Sequence, residues 1–209
     1  MPTTLKPDGP FDKAVTAFKK GGVIAYPTET FYGLGVDPFN EEAVRGLFTL
    51  KGRPPENPVS VIVRDREMLR MVVEEVPPLA ERLIEYFWPG PLTIILKARD
   101  VLPPTLTAGT GTVGVRESSS DTAMKLVTAL GSPITATSAN PSGKPPAATA
   151  DEAAAYFGDG IDILIDGGKT GGGLGSTVVD ATGEEIEIIR EGEIPASEIL
   201  TLTEKGGEG

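Results

Sequence analysis

Apolar residues near the start of the chain recur at helical spacing. Phe11, Ala14, Val15 and Phe18 fall at i, i+3, i+4 and i+7, which predicts an amphipathic helix over residues 10–20, ended by Gly21-Gly22. Val23 to Tyr26 is a short apolar run and predicts a buried strand. Asn40 has the chemistry of an N-cap, opening a helix that carries Val44, Leu47 and Phe48. Residues 65–72, 78–87 and 121–130 also read as helices, and Pro89-Gly90-Pro91 breaks the chain after the second of them. Thr149-Ala150-Asp151-Glu152 is a capping-box pattern at the start of another helix. Pro195 to Leu200 predicts a last short helix, and the tail from Thr203 is expected to fray.

The strand pattern fills the gaps between these helices. Val59–Val63, Leu92–Lys97, Thr112–Arg116, Ile134–Thr137, Ile161–Asp166, Thr177–Asp180 and Glu185–Arg190 are short runs rich in Val, Ile and Thr. Helices and strands interleave, so the fold class is α/β. The last two strands are joined through Thr182-Gly183 as a hairpin, which makes the sheet mixed rather than purely parallel. There is no internal repeat and no interdomain linker, so the expectation is one domain over residues 1–203 and a disordered tail over 204–209. The Pro/Gly/Ser-rich stretch 138–148 sits between strong elements and reads as a functional loop.

Composition narrows the chemistry. The 209 residues suffice for a sizeable core, and 39% hydrophobic with 23% charged residues describes a soluble globular chain. The longest apolar runs are far too short for a membrane span, and no basic-then-apolar leader precedes them, so a cytoplasmic location is expected. With no Cys there is neither disulfide nor thiolate metal site, and with no His there is no imidazole acid, base or ligand. Any metal is expected to be hard and oxygen-bound, as Mg²⁺ is when it accompanies phosphates, with no ligand assigned to a protein side chain. The net charge of −11 argues against a general nucleic-acid surface but leaves room for a local basic pocket.

Two glycine-rich segments fail their context tests. Gly109-Thr110-Gly111-Thr112-Val113-Gly114 matches a dinucleotide fingerprint in letters, but a strand and not a helix follows it. Gly168-Lys169-Thr170 lacks the first glycine of a P-loop, because position 163 is Ile163. Ser118-Ser119-Ser120-Asp121 reads as a helix cap.

The surviving candidates are polar groups at element ends. In Tyr26 to Gly35, an extended chain would aim Thr28, Thr30 and Tyr32 to one side, suited either to a small polar ligand or to an exposed strand face. Lys51-Gly52-Arg53 closes a helix, where cations suit the dipole, but Pro54-Pro55 and Asn57-Pro58 hold the exit stiffly. A cation about 4 Å from a phosphate oxygen gains ~4 kcal/mol of gross attraction at an intermediate dielectric. Arg116 and Arg190 end strands, Ser138 and Asn140 follow one, and Ser176 opens another. The chain has three Asn and no Gln, and two of the three, Asn57 and Asn140, fall among these groups.

The stretches PTETFYGLG (27–35), KGRPPENPV (51–59), WPGPLTIIL (88–96), GTVGVR (111–116), TSANPSG (137–143), GSTVVD (175–180) and IIREG (188–192) resemble, in this order, the YrdC/Sua5 family of threonylcarbamoyl-AMP synthases. The resemblance implies a three-layer fold with helices on both faces of a twisted mixed sheet and a large concave cleft. It implies a reaction of L-threonine, bicarbonate or CO₂, and ATP that yields threonylcarbamoyl-AMP and pyrophosphate for tRNA modification. By matching position, Thr30, Arg116 and Ser176 would hold threonine. Lys51, Arg53, Asn57, Thr112, Ser138, Asn140 and Arg190 would hold ATP, with Lys51, Arg53, Ser138 and Asn140 taking part in the chemistry. Mg²⁺ would arrive with ATP, and the product would pass to a downstream tRNA threonylcarbamoyl transferase complex. Many relatives carry a His where this chain has Ile62. The chain resembles the short form of the family, without the C-terminal domain of the longer form. A second class, an RNA-binding module of the same fold making weak tRNA contacts, is disfavoured by 19 basic against 30 acidic residues.

Overall fold

Side-chain caps set where the helices begin. In the computed structural model, which describes residues 1–54 and 56–204, Asn40 Oδ1 accepts from Ala43 N at 3.1 Å and opens a helix over Glu41–Lys51. Gly52, at φ 60°, closes it in the left-handed conformation that only glycine adopts without strain. Asp65, Ser120 and Thr149 cap three further helices in the same way. At Thr149 the box is shifted by one residue, because the Glu152 carboxylate reaches back to Ala148 N at 2.7 Å.

In chain order the elements are β1 (Thr3–Leu5), α1 (Asp12–Lys19), β2 (Ile24–Pro27), β3 (Tyr32–Gly35), α2 (Glu41–Lys51), β4 (Ser60–Ile62) and α3 (Arg66–Val72). They continue with α4 (Pro78–Phe87), β5 (Leu92–Lys97), α5 (Pro104–Thr107), β6 (Thr112–Arg116), α6 (Asp121–Leu130), β7 (Ile134–Ser138) and α7 (Ala150–Phe157). The last four are β8 (Ile163–Ile165), β9 (Thr177–Asp180), β10 (Glu187–Arg190) and α8 (Ala196–Glu204). The ten strands form one mixed sheet in the order β1-β8-β2-β3-β7-β4-β6-β5-β9-β10. Four pairs are parallel (β1/β8, β2/β8, β4/β6, β5/β9) and the rest antiparallel, and β9 and β10 form the expected hairpin. Tyr26, Leu34, Leu47, Ile62, Leu83 and Ile94 are among the largest fully buried side chains, in a core that runs along the sheet.

Three elements were not expected: β1, β3 and α5. The stretch after β2 is not extended. It turns at Thr28–Phe31 and returns as β3, pairing Ile24 with Gly35 and Pro27 with Tyr32. The Thr28 hydroxyl makes this turn, donating to Phe31 O at 2.7 Å and accepting from the Thr30 and Phe31 N–H groups at 3.3 Å. The expected fraying at Thr203 is also corrected, because α8 continues to Glu204 and the Arg82 guanidinium donates to Leu202 O at 2.5 Å. Positions 205–209 of the expected tail, and Pro55 of the stiff exit, lie outside the described residues.

The middle of the sheet opens at β7. Ile134 to Ala136 pair with β4, whereas Thr137 and Ser138 pair with β3. Among the described residues the β4 ladder stops at Ala136, so the end of β7 has a strand on one side only. At the other end, the start of β7, the approach to β3 is close: a Cβ at Gly35 would lie 2.5 Å from the Ile134 side chain and 2.8 Å from Thr135 O. The open side faces the functional cavity.

Candidate active site

A cavity of about 430 Å³ lies over the sheet between the β2–β3 turn, the end of β7 and the starts of β4 and β9. Its floor is laid down by strand register. Ser60 of β4 faces it beside Gly114 of β6, with Ile95 of β5 opposite Gly114. Gly114 has no room for a side chain, since a Cβ would meet Ser60 Oγ at 2.7 Å and Thr93 Cγ2 at 3.0 Å. Hydroxyls of Thr28, Thr30, Ser60, Thr93, Thr137, Ser138 and Ser176 line the walls. Three guanidinium groups join them, those of Arg53, Arg116 and Arg190, and among the described residues the lining contains no Asp or Glu.

The three arginines come from distant parts of the chain and are held differently. Arg53, just beyond α2, donates from Nε to Asn57 O at 2.9 Å and from Nη2 to Pro58 O at 2.8 Å. Arg190, at the end of β10, donates to Ser176 O at 2.6 Å. Burial holds both guanidinium groups below their ordinary pKa, and nearby Arg116 pushes Arg190 down further. Both stay charged at neutral pH, because arginine starts so high. Arg116, at the end of β6, instead meets a carboxylate: Nη1 lies 2.9 Å from Glu29 Oε1, with both side chains largely buried.

Of the positions singled out in the sequence, Thr30, Arg53, Asn57, Arg116, Ser138, Ser176 and Arg190 line this one cavity. Lys51, Asn140 and Thr112 do not. Lys51 is only 3% exposed and lies behind the wall. Its ammonium donates to Ser138 O and, at 2.6 Å, to Asn140 O, so it pins the end of β7 to the end of α2. Burial, with Arg53 adding to it, lowers the Lys51 pKa to about 8. Asn140 donates to Pro141 O at 3.0 Å and Lys144 O at 2.8 Å, shaping the following loop, while its buried Oδ1 has no partner. Thr112 bonds Thr110 Oγ1 at 2.9 Å at the start of β6. The loop 138–148 reaches the cavity through Ser138 and Pro146.

Two residues escaped the sequence reading. Glu29 sits at the tip of the β2–β3 turn and accepts from Arg116 and from the Ser118 hydroxyl. Ser118 had been read as part of a cap, a task that falls to Ser120. The available signal was that Glu29 is the only charged residue in Tyr26–Gly35. The glycine-rich stretch 168–175 also contributes. Tyr32 Oη donates to Gly168 O at 2.8 Å, Gly172 N donates to Thr30 O at 2.7 Å, and Leu174 and Gly175 line the mouth.

Among the described residues, the cavity thus gathers two cations without carboxylate partners, one cation with such a partner, and a set of hydroxyls. That arrangement can hold a polyanion beside a small polar molecule. The threonylcarbamoyl-AMP synthase of Pyrococcus abyssi is 42% identical over 181 residues, 87% of this chain and 53% of that protein. The enzyme of the same name from Bacillus subtilis is 38% identical over 188 residues, 90% of this chain and 54% of that one. The chain therefore spans about half the length of these two curated relatives. A crystal structure of P. abyssi Sua5 complexed with L-threonine superposes with a TM-score of 0.89 at 37% identity, covering 97% of this chain and 60% of that one. The sequence model of the Sua5/YciO/YrdC family, described as telomere recombination, matches residues 16–192, and the chain belongs to that family.

Proposed function

We propose that this chain forms threonylcarbamoyl-AMP from L-threonine, bicarbonate or CO₂, and ATP, releasing pyrophosphate. The observation that carries the reading is the single cavity that Arg53, Arg116 and Arg190 line together with Thr30, Ser138 and Ser176. Relatives bearing the name of this activity support it, as does the Sua5 structure with L-threonine bound.

The chemistry asks little of the protein's own groups. Threonine enters with its carboxylate on Arg116 and its hydroxyl among the Thr30 and Ser176 hydroxyls. Its amine, once it has lost a proton, forms an N–C bond to CO₂ and becomes a carbamate. A carbamate oxygen attacks the α-phosphorus of ATP, the bond from that phosphorus to the bridging oxygen breaks, and pyrophosphate leaves with the electron pair. No protein nucleophile or imidazole takes part, which suits a chain without Cys or His. Holding the reactants in register can supply ~7–11 kcal/mol of the barrier. Arg53 and Arg190 stabilise the charge that gathers on the transferring and leaving phosphates. Ser138 and Asn57 orient the nucleotide, while Lys51 acts one layer back by fixing the Ser138 backbone and Asn140 by shaping the loop that follows. Mg²⁺ comes in as the counter-ion of ATP. The lining has no carboxylate among the described residues, so phosphate oxygens and water would supply the ligands of that ion.

A labile acyl-adenylate calls for a transferase that uses it on tRNA, and the account places this chain upstream of one in the cytoplasm. Incubation with labelled bicarbonate, ATP and each amino acid in turn tests the reading. A labelled adenylate is expected with threonine, and its absence with every amino acid would overturn the proposal.

A further inference from the structure

The three guanidinium groups of the cavity differ in how they are neutralised. Arg53 and Arg190 satisfy their donors with backbone carbonyls, which carry no net charge, and neither has an ion-pair partner among the described residues. Both keep their positive charge, and Arg190 also bonds the Ser176 hydroxyl at 3.3 Å and lies near Arg116. Arg116 faces Glu29 at 2.9 Å, with side-chain exposures of 9% and 14%, so this pair is close to neutral overall. Glu29 is firmly set. The buried Ser118 hydroxyl holds its second oxygen, Gly172 N braces the neighbouring Thr30 O, and a Cβ at Gly171 would press on Glu29 O at 2.8 Å.

A buried ion pair is a costly way to gain stability, because both ions lose their water. Such a pair has a clearer use in selectivity. A zwitterion carries its own plus and minus, and it fits beside a dipole of opposite sense. A plain carboxylate or a phosphate is drawn instead to an uncompensated cation.

We propose that Glu29 cancels the charge of Arg116 and thereby makes the Arg116 subsite select a zwitterion over a simple anion. This rests on the reading that the cavity takes an amino acid beside ATP. Glu29 is a positioning residue here, acting through Arg116. It keeps Arg116 from competing with Arg53 and Arg190 for the same phosphate, and its bond to Nη1 fixes the guanidinium.

Calorimetric titration of the full chain without ATP tests the idea, with two probes. One is L-threonine. The other is its α-hydroxy analogue, which has the same carboxylate and no ammonium. The wild type is expected to bind threonine at least about tenfold more tightly than the analogue, the scale of one partly screened charge contact. Glu29→Gln should bring the ratio towards one by strengthening the analogue, a gain that a purely structural role cannot produce. Glu29→Asp and Ser118→Ala keep the carboxylate and should keep the preference. A wild-type ratio near one overturns the inference whether or not the variants fold. So does a Glu29→Gln protein that loses both ligands equally or leaves the ratio unchanged. A wild type that binds no threonine at all overturns the functional reading itself.

Discussion

Lys51 and Arg53 stand two residues apart and end in different surroundings. The sequence presents them as one anion grip, but only Arg53 lines the cavity, while Lys51 is turned back onto the Ser138 and Asn140 carbonyls. Periodicity places both at the end of a helix and does not say which of them the β7 loop will cover. Arg53→Ala should abolish pyrophosphate release while leaving the fold intact, whereas Arg116→Ala should chiefly raise the threonine KM. An effect of Arg116→Ala on ATP alone would show that its role is misassigned. Lys51→Met leaves two carbonyls short of a donor and should cost on the order of 2–4 kcal/mol in urea unfolding. The same residue gives a pH signature. Its pKa is about 8 in the folded protein against 10.5 when unfolded. Between those values the unfolded chain holds the extra proton, so stability rises with pH, and below about 8 the burial cost is felt in full. The wild type should therefore gain on Lys51→Met as pH climbs from about 8 to about 10, and a falling difference would contradict the burial argument. Glu29 was beyond sequence reading for a plainer reason: its partners lie 87 and 89 residues away.

At the scale of elements, the hairpin signals were uneven. β9 and β10 were legible because Thr182-Gly183 separates two β-branched runs. β3 was not, since Tyr32-Gly33-Leu34-Gly35 carries two glycines and the turn before it uses the Thr28 hydroxyl in place of Gly or Asn. β1 and α5 are three and four residues long, too short to show a period. The chain that leaves β10 crosses the start of β9 so closely that a Cβ at Gly192 would strike Gly175 O. Thr177 ties this crossing. Fully buried, it donates to Ile194 O at 2.6 Å and accepts from Gly192 N at 2.9 Å and Ile194 N at 3.1 Å. Thr177→Val removes all three bonds and should cost about 2–3 kcal/mol in urea unfolding. Because Ser176 and Arg190 flank the crossing, the same change should weaken ATP binding. Unaltered stability and affinity would mean that the crossing does not set the cavity wall.

For the whole molecule, a net charge of −11 surrounds a cavity with three guanidinium groups. The field is repulsive to a long polyanion at a distance and attractive to a small one inside. Filter binding should therefore show little retention of tRNA even at low salt, and tight, salt-sensitive retention without ATP turnover would favour an RNA-binding role. The α/β class, the mixed sheet and the three arginines of the cavity were legible because element ends carry unusual polar residues. The pairing of Arg116, alone of the three arginines among the described residues, with a carboxylate was not, since it depends on which oxygen each arginine finds in three dimensions. The most direct test is a crystal structure with L-threonine and a non-hydrolysable ATP analogue bound together. The account predicts threonine's carboxylate on Arg116 and the phosphates between Arg53, Ser138 and Arg190, all within one cavity. Phosphates bound away from these three residues, or threonine bound away from Arg116, would contradict it.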